Sequence, residues 1–359
     1  MHKNIFPFLF LSLLIIGALA ACTPPQTTPI STPQQPESIT LVTHDSFDSG
    51  VLDKFQEETG VKVEVLKSGD AGEMLNLLLL SKDAPLGEVV YGIDNSFLGR
   101  ALAGDLFQSY DSPLLAQIPD DLKLDSENRL LPVDFGYVTL NYDINWFAEK
   151  GLAPPADIKD LTQPEYKGLT VVQNPASSSP GLAFLMITVG RFGEDGEYDY
   201  LDYWRELKNN DVLVADDWSS AYFNQFTVGS GGEGDRPVVV SYATSPAAEV
   251  FFNDLPEPPS ASVNTPGNSF RQIEFVGILA RSPHPEMARK LVDFLLGPTF
   301  QADIPQHMWV YPANSQVDAG ELFARWAQIP EQPVQLAPDE IAQKRETWLE
   351  AWTDLMLRQ

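Results

Sequence analysis

Between residues 38 and 92, apolar runs of strand length alternate with helical patterns, and this alternation limits the fold more than any other feature of the chain. Residues 38–43 read as a strand, 51–58 as a helix stopped at Gly60, 61–66 as a second strand, 71–81 as a helix with a leucine-rich face, and 88–92 as a third strand. A βαβαβ order predicts a parallel sheet flanked by helices. Ligands of such sheets sit outside the carboxyl ends of the strands. The loops His44-Asp45-Ser46-Phe47, Gly69-Asp70-Ala71 and Asp94-Asn95-Ser96 are therefore expected to open toward one crevice.

A second set of strands follows Leu131-Pro132-Val133-Asp134-Phe135-Gly136-Tyr137, at 138–142, 169–172, 212–214 and 238–242, with helices near 181–192, 198–209 and 219–228. Residues 274–280 read as a further strand, 284–296 as a helix with Met287, Leu291, Phe294 and Leu295 on one face, and 338–358 as an amphipathic helix carrying Trp348 and Trp352. The stretch 38–359 is longer than one core usually serves. The expectation is an α/β chain of two lobes, each a mainly parallel sheet flanked by helices, formed by 38–134 with 270–305 and by 135–269 with 306–359. The strands near Asp134-Phe135-Gly136-Tyr137 and at 274–280 would cross between them as hinges.

Ahead of this body, His2 and Lys3 lead into an apolar run at 5–19 and then Leu19-Ala20-Ala21-Cys22. This is the pattern of a lipoprotein signal, 1–21, cut before Cys22. The apolar run is shorter than the roughly 20 residues a spanning helix needs. Cys22 would become the acylated first residue, and as the only cysteine it leaves no intramolecular disulfide. Residues 22–37 form a tether rich in Pro, Thr and Gln that cannot build a core. The expected location is extracytoplasmic, held to the membrane only through Cys22.

With 23 Lys plus Arg against 50 Asp plus Glu, the net charge is −27. Such acidity argues against nucleic acid as a partner and biases encounters toward cations. The four histidines have no metal-ligand spacing, and no phosphate loop or nucleophile-elbow motif occurs. Neither a catalytic role nor a cofactor is expected.

Asp160-Leu161-Thr162-Gln163-Pro164-Glu165-Tyr166-Lys167-Gly168 resembles the segment preceding a second-lobe strand in solute-binding proteins of ABC transporters, and Ser282-Pro283-His284-Pro285-Glu286 with Phe294-Leu295-Leu296-Gly297-Pro298 resembles their late helix. Within that group the chain is similar to the periplasmic thiamine-binding proteins. The matching stretches are Thr43-His44-Asp45-Ser46-Phe47, Gly92-Ile93-Asp94-Asn95, Asp134-Phe135-Gly136-Tyr137, residues 174–181, Asp217-Trp218-Ser219-Ser220-Ala221-Tyr222, Ser241-Tyr242-Ala243-Thr244-Ser245-Pro246, and Ile304-Pro305 with Trp309-Val310-Tyr311-Pro312. The resemblance implies a two-lobed periplasmic-binding-protein-like fold of type II. It also implies thiamine or a thiamine phosphate as ligand, and an ABC permease with its ATPase as partners. Nothing in the sequence calls for an oligomer.

Thiamine joins a permanent thiazolium cation to an aminopyrimidine and a hydroxyethyl end that can carry phosphate. Aromatic faces would stack on the rings and attract the cation. The resemblance assigns that role to Trp218, Tyr242 and Trp309, and a ligand-contacting carboxylate to Asp70 beside Ala71; Asp70 also suits a helix N-cap. Ser178 and Ser179 precede Pro180 at a helix start whose free N–H groups suit a hydroxyl or phosphate, though plain capping explains them as well. Ala243, Thr244 and Ser245, entering Pro246, form a second cluster of this kind. His44 and Asp94 complete the candidate contacts. His44 stands where relatives often place a tyrosine, and Ala248 where a further stacking tyrosine is expected, which thins one wall. A polyamine, an aminophosphonate-like zwitterion, or a surface sensor without transport are the alternative readings.

Overall fold

The computed structural model describes residues 36–358. The expected signal, Cys22 and all but the last residues of the tether lie outside the described residues. Among the described residues, no helix is long and apolar enough to cross a membrane.

Eleven strands form one curled sheet: β1 (Ser38–Thr43), β2 (Lys62–Lys67), β3 (Val89–Asp94), β4 (Phe107–Gln108), β5 (Leu131–Asp143), β6 (Thr170–Gln173), β7 (Leu213–Ala215), β8 (Val238–Tyr242), β9 (Ser260–Ser262), β10 (Phe270–Leu279) and β11 (Tyr311–Pro312). Their main order is β2-β1-β3-β10-β5-β8-β6-β7. At one end β1 pairs in parallel with β2 and β3; at the other, β6 pairs in parallel with β7 and β8. Between these triplets run β10 and β5, antiparallel to each other and to their outer neighbours. The first part of β5 pairs with β10 and the last part with β8, so one strand serves both halves.

Helices α1 (Leu52–Thr59), α2 (Ala71–Leu80) and α3 (Leu98–Ala103) belong to the first half, and α4 (Ile144–Lys150), α5 (Ser179–Phe192), α6 (Tyr200–Asn209) and α7 (Ser245–Asn253) to the second. They are followed by α8 (Pro285–Leu296), α9 (Pro298–Gln301), α10 (Ile304–His307), α11 (Glu321–Trp326) and α12 (Pro338–Met356). Gly60, at φ 73°, ends α1 in the left-handed conformation that glycine adopts without a Cβ clash. The leucine-rich face of α2 buries Met74, Leu75 and Leu78, and α8 buries Met287, Leu291 and Leu295.

Most of the expected elements fall within a residue or two of their bounds, while β4, β9, β11, α3, α4, α7, α9, α10 and α11 were not expected. Strand β5 begins at Leu131 rather than 138, and β10 at Phe270 rather than 274, because Asp134, Arg271 and Gln272 interrupt the apolar pattern that marks a strand. The register of β5 against β10 slips between Glu274 and Phe275, which face Asp134 and Pro132. This irregularity lets Pro132, which has no N–H to give, sit in an interior strand. The helix expected at 219–228 is instead a single π-helical turn, Ser220–Gln225, a form that recurs near functional sites.

Helix α12 packs against both α3 and α6, so its contacts extend to both halves. Its Trp348 and Trp352 are fully buried, and Trp352 meets Trp204 of α6 edge-on with centroids 5.4 Å apart. Trp352→Ala is expected to cost about 3–5 kcal/mol, because the cavity left between two rigid helices cannot collapse fully. Urea denaturation followed by circular dichroism would measure it; a loss below about 1 kcal/mol would show that α12 contributes little to the core.

Candidate functional site

One cavity of about 580 Å³ opens where the carboxyl ends of the strands face the helix starts, within the size range of small-molecule sites. The starts of α2 (Asp70, Ala71), α5 (Ser179, Pro180) and α7 (Ser245) reach it, and the central strands contribute Asp134 and Gly136 from β5 and Gln272 and Glu274 from β10. Of the residues singled out in the sequence, His44, Asp70, Ala71, Ser179, Trp218, Tyr242, Thr244, Ser245 and Trp309 all line this space.

Three expected contacts, Ser178, Ala243 and Asp94, do not line this cavity. Ser178 and Ala243 are buried behind the lining, where the backbone turns into α5 and α7. Asp94 is buried, and both its oxygens are already used: Oδ1 accepts from the Ser96 N–H at 2.7 Å and from the Ser96 hydroxyl, and Oδ2 accepts from Ser179 Oγ at 2.6 Å. Asp94 therefore fixes Ser179, joining the end of β3 to the start of α5.

Aromatic rings stand on two sides. Trp218 stacks on Tyr222 with centroids 5.0 Å apart and planes 21° apart, and its indole N–H donates to Ser241 Oγ at 3.0 Å. Phe223 meets Trp218 edge-on at 5.3 Å. On the other side Trp309 packs against Phe252 at 5.0 Å and stacks on Phe323 at 6.1 Å. Trp309 has φ 56°, a left-handed conformation that is rare and costly for a bulky residue. Its carbonyl accepts from Thr244 Oγ1 at 2.5 Å, which ties that strained turn to the start of α7. Each indole borders a separate apolar cluster, yet both face the same cavity. At Ala248 the wall is bare, but Phe252, one turn further along α7 and 67% exposed, lines the cavity there.

The polar lining is acidic: Asp70, Asp134, Glu249 and Glu274 line the cavity, and among the described residues no Lys or Arg does. Asp70 occupies the N-cap position of α2 but makes no side-chain cap bond, and its Oδ2 is buried without a partner. Burial first, then Asp217, Glu73 and Asp45, raise Asp70 to about 6 against the opposing pull of His44. Burial likewise raises Glu249 to about 7, although it accepts from Tyr222 and from Ser260 Oγ at 2.6 Å. Burial pulls the His44 imidazole down, but Glu274, Asp70 and Asp94 outweigh it and leave the ring above its ordinary value. Gly92, at φ 99°, permits this placement, since a Cβ there would come within 2.2 Å of His44 Cδ2.

Asp134, Glu274, Tyr222, Glu249 and Phe252 were not among the contacts expected from sequence. Asp134 and Glu274 could have been found as carboxylates flanked by apolar residues inside strands, an arrangement that is expensive unless it serves a purpose. Among the described residues, no group of three or more His, Cys, Asp or Glu is arranged to hold a metal ion.

A family model described as bacterial extracellular solute-binding protein matches residues 84–327, more than half of the chain. The chain belongs to that family. Its role is solute binding in ABC import, outside the cytoplasm. It is 29% identical over 322 residues to the thiamine-binding periplasmic protein of Escherichia coli strain K12, covering 88% of this chain and 92% of that one. A solved periplasmic thiamin binding protein superposes with a TM-score of 0.78 at 27% identity, covering 89% of this chain and 96% of that one. Iron-bound HitA from Pseudomonas aeruginosa shares the fold, with a TM-score of 0.72, 20% identity, and coverage of 90% and 100%. These likenesses establish the two-lobed type II architecture.

Because the folded binding protein keeps the Asp70 proton to about pH 6 while the unfolded chain releases it near the ordinary 3.8, its stability falls as pH rises through that window. Asp70→Asn should remove this slope and stabilise the ligand-free protein near neutral pH by up to about 3 kcal/mol. Urea midpoints at about pH 4 and about pH 7 would check it; an unchanged difference between them would show that the Asp70 oxygen is better solvated than its burial implies.

Proposed function

We propose that the binding protein captures thiamine, or a phosphate of thiamine, in this cavity and delivers it to an ABC permease energised by an ATPase. The observation that carries the reading is the pairing of indole faces on two sides with an acidic, lysine- and arginine-free lining. A flat organic cation is the ligand class such a lining favours, since ring faces attract a cation by about 2 kcal/mol or more where water is excluded. The unpartnered Asp70 Oδ2 is an acceptor for the exocyclic amine or a counter-charge for the thiazolium. The hydroxyls of Ser179, Thr244 and Ser245, with the N–H groups at the starts of α5 and α7, form the polar end for the hydroxyethyl group or its phosphate.

In this reading the halves are 38–134 with 270–305 and 135–269 with 306–359, and β5 and β10 bend as the hinge when the cavity closes. Cys22 carries the lipid that holds the receptor at the outer side of the membrane, and the receptor works as a monomer. Cys22→Ser should move the protein from the membrane pellet to the soluble fraction on cell fractionation; unchanged membrane retention would exclude the anchor.

The test of the ligand is titration of the body from Pro36 onward, which forms one compact unit, with thiamine, its mono- and diphosphate, spermidine and ferric citrate, followed by tryptophan emission. Saturable quenching by the thiamine compounds alone is expected, weakened roughly tenfold to a hundredfold in Trp218→Ala, as loss of about 1.4–2.8 kcal/mol of stacking requires. Saturation by spermidine or ferric citrate without a response to thiamine would replace the reading.

A further inference from the structure

Beneath the aromatic walls, the floor of the cavity brings together three ionisable side chains whose polar atoms are not fully used. Asp134 and Glu274 sit directly opposite each other on β5 and β10, beside the register slip. Asp134 is fully buried; its Oδ2 accepts from the Tyr91 hydroxyl, while its Oδ1 has no partner. Glu274 Oε1 lies 3.5 Å from His44 Nε2 and 3.5 Å from Gln272 Nε2, both long for hydrogen bonds. His44 Nε2 is buried and otherwise unpartnered. All three residues line the cavity.

The groups around this cluster do not supply a fixed positive charge. Tyr91 of β3, Tyr242 of β8, Asp94 at the end of β3 and Asp70 at the start of α2 face it, with Asp217 beyond Asp70. Every one is neutral or acidic when it titrates. Two carboxyl groups in such surroundings cannot both ionise without a counter-cation, so a proton takes that place in the empty protein. Burial first, and then Glu274, push Asp134 well above the carboxylate range.

We propose that His44, Glu274 and Asp134 form a charge-selecting floor in which a proton stands in for the ligand's cation, so that capture of a permanently charged ligand expels a proton to solvent. This deepens the proposed function and rests on it. The step is an exchange with no other co-reactant: an O–H or N–H bond of the cluster ionises, the proton passes to buffer, and the ligand's charge replaces it beside the carboxylates. The proton is assigned to the cluster, since Asp134 and Glu274 face each other across β5 and β10 beside His44. The selection follows from the same exchange. A neutral molecule of the same shape cannot displace the proton, and an anion would meet the carboxylates uncompensated.

The test is calorimetric titration of the body from Pro36 onward with thiamine at neutral pH in buffers of low and high ionisation enthalpy, alongside the neutral isostere in which a thiophene ring replaces the thiazolium. Thiamine should release about one proton per molecule bound, seen as a binding heat that tracks the buffer. The isostere should bind more weakly and release none. Asp134→Asn, which keeps an acceptor for Tyr91, should bind thiamine with its proton release largely abolished. Thiamine heats that do not depend on buffer would overturn the floor while leaving the thiamine reading intact, and so would an isostere that releases as many protons as thiamine. Absence of any thiamine binding would overturn both. If Asp134→Asn fails to fold, the comparison of the two ligands on the unaltered chain still decides.

Discussion

The pairing of β5 with β10 is the contact on which the rest of the molecule depends. Each outer triplet of parallel strands could form from local βαβ units, but only the antiparallel pair in the middle makes them one sheet. Because the two strands run through the body, they place residues from distant parts of the sequence opposite each other at its centre. Asp134 and Glu274 meet there although most of the second half lies between them in the chain. Their burial is tolerable only because Tyr91 bonds one oxygen and the cavity leaves room for an exchangeable counter-charge.

Around that centre the site is assembled from parts of different rigidity. The helix starts of α2, α5 and α7 are held by packed cores and bring hydroxyls and N–H groups to fixed positions. The aromatic walls come from less regular backbone: a π-helical turn beside Trp218 and a left-handed residue at Trp309 itself. Strain of this kind persists where surrounding contacts over-determine it. Here the Thr244 hydroxyl and the Phe252 and Phe323 rings do so. The bond from Ser179 to Asp94 joins α5 to the end of β3 and thereby links the two sides below the opening.

Much of this was legible in the sequence because it rests on local signals. The 2-residue and 3.6-residue apolar periods marked the parallel strands and their helices, and Pro after Ser marked the start of α5, while α7 had no helix expected at its position. Trp218, Tyr242 and Trp309 came from the resemblance to a family, and the cavity they share became visible only in three dimensions. What escaped was set by long-range contacts. Strand β5 carries an aspartate and a proline that a strand pattern rejects, and only its pairing with β10 explains them. Asp94 reads as a loop acid but is consumed by Ser96 and Ser179. Phe252, which no sequence signal singled out, lines the cavity beside Trp309.

Helix α12 touches α3 on one side and α6 on the other, far along the chain from the crossing strands. In the proposed hinge motion, any turn of α3 against α6 has either to carry this helix along or to break the contact of Trp352 with Trp204. The last helix thus braces elements far apart in the chain, although it contributes no residue to the lining of the cavity.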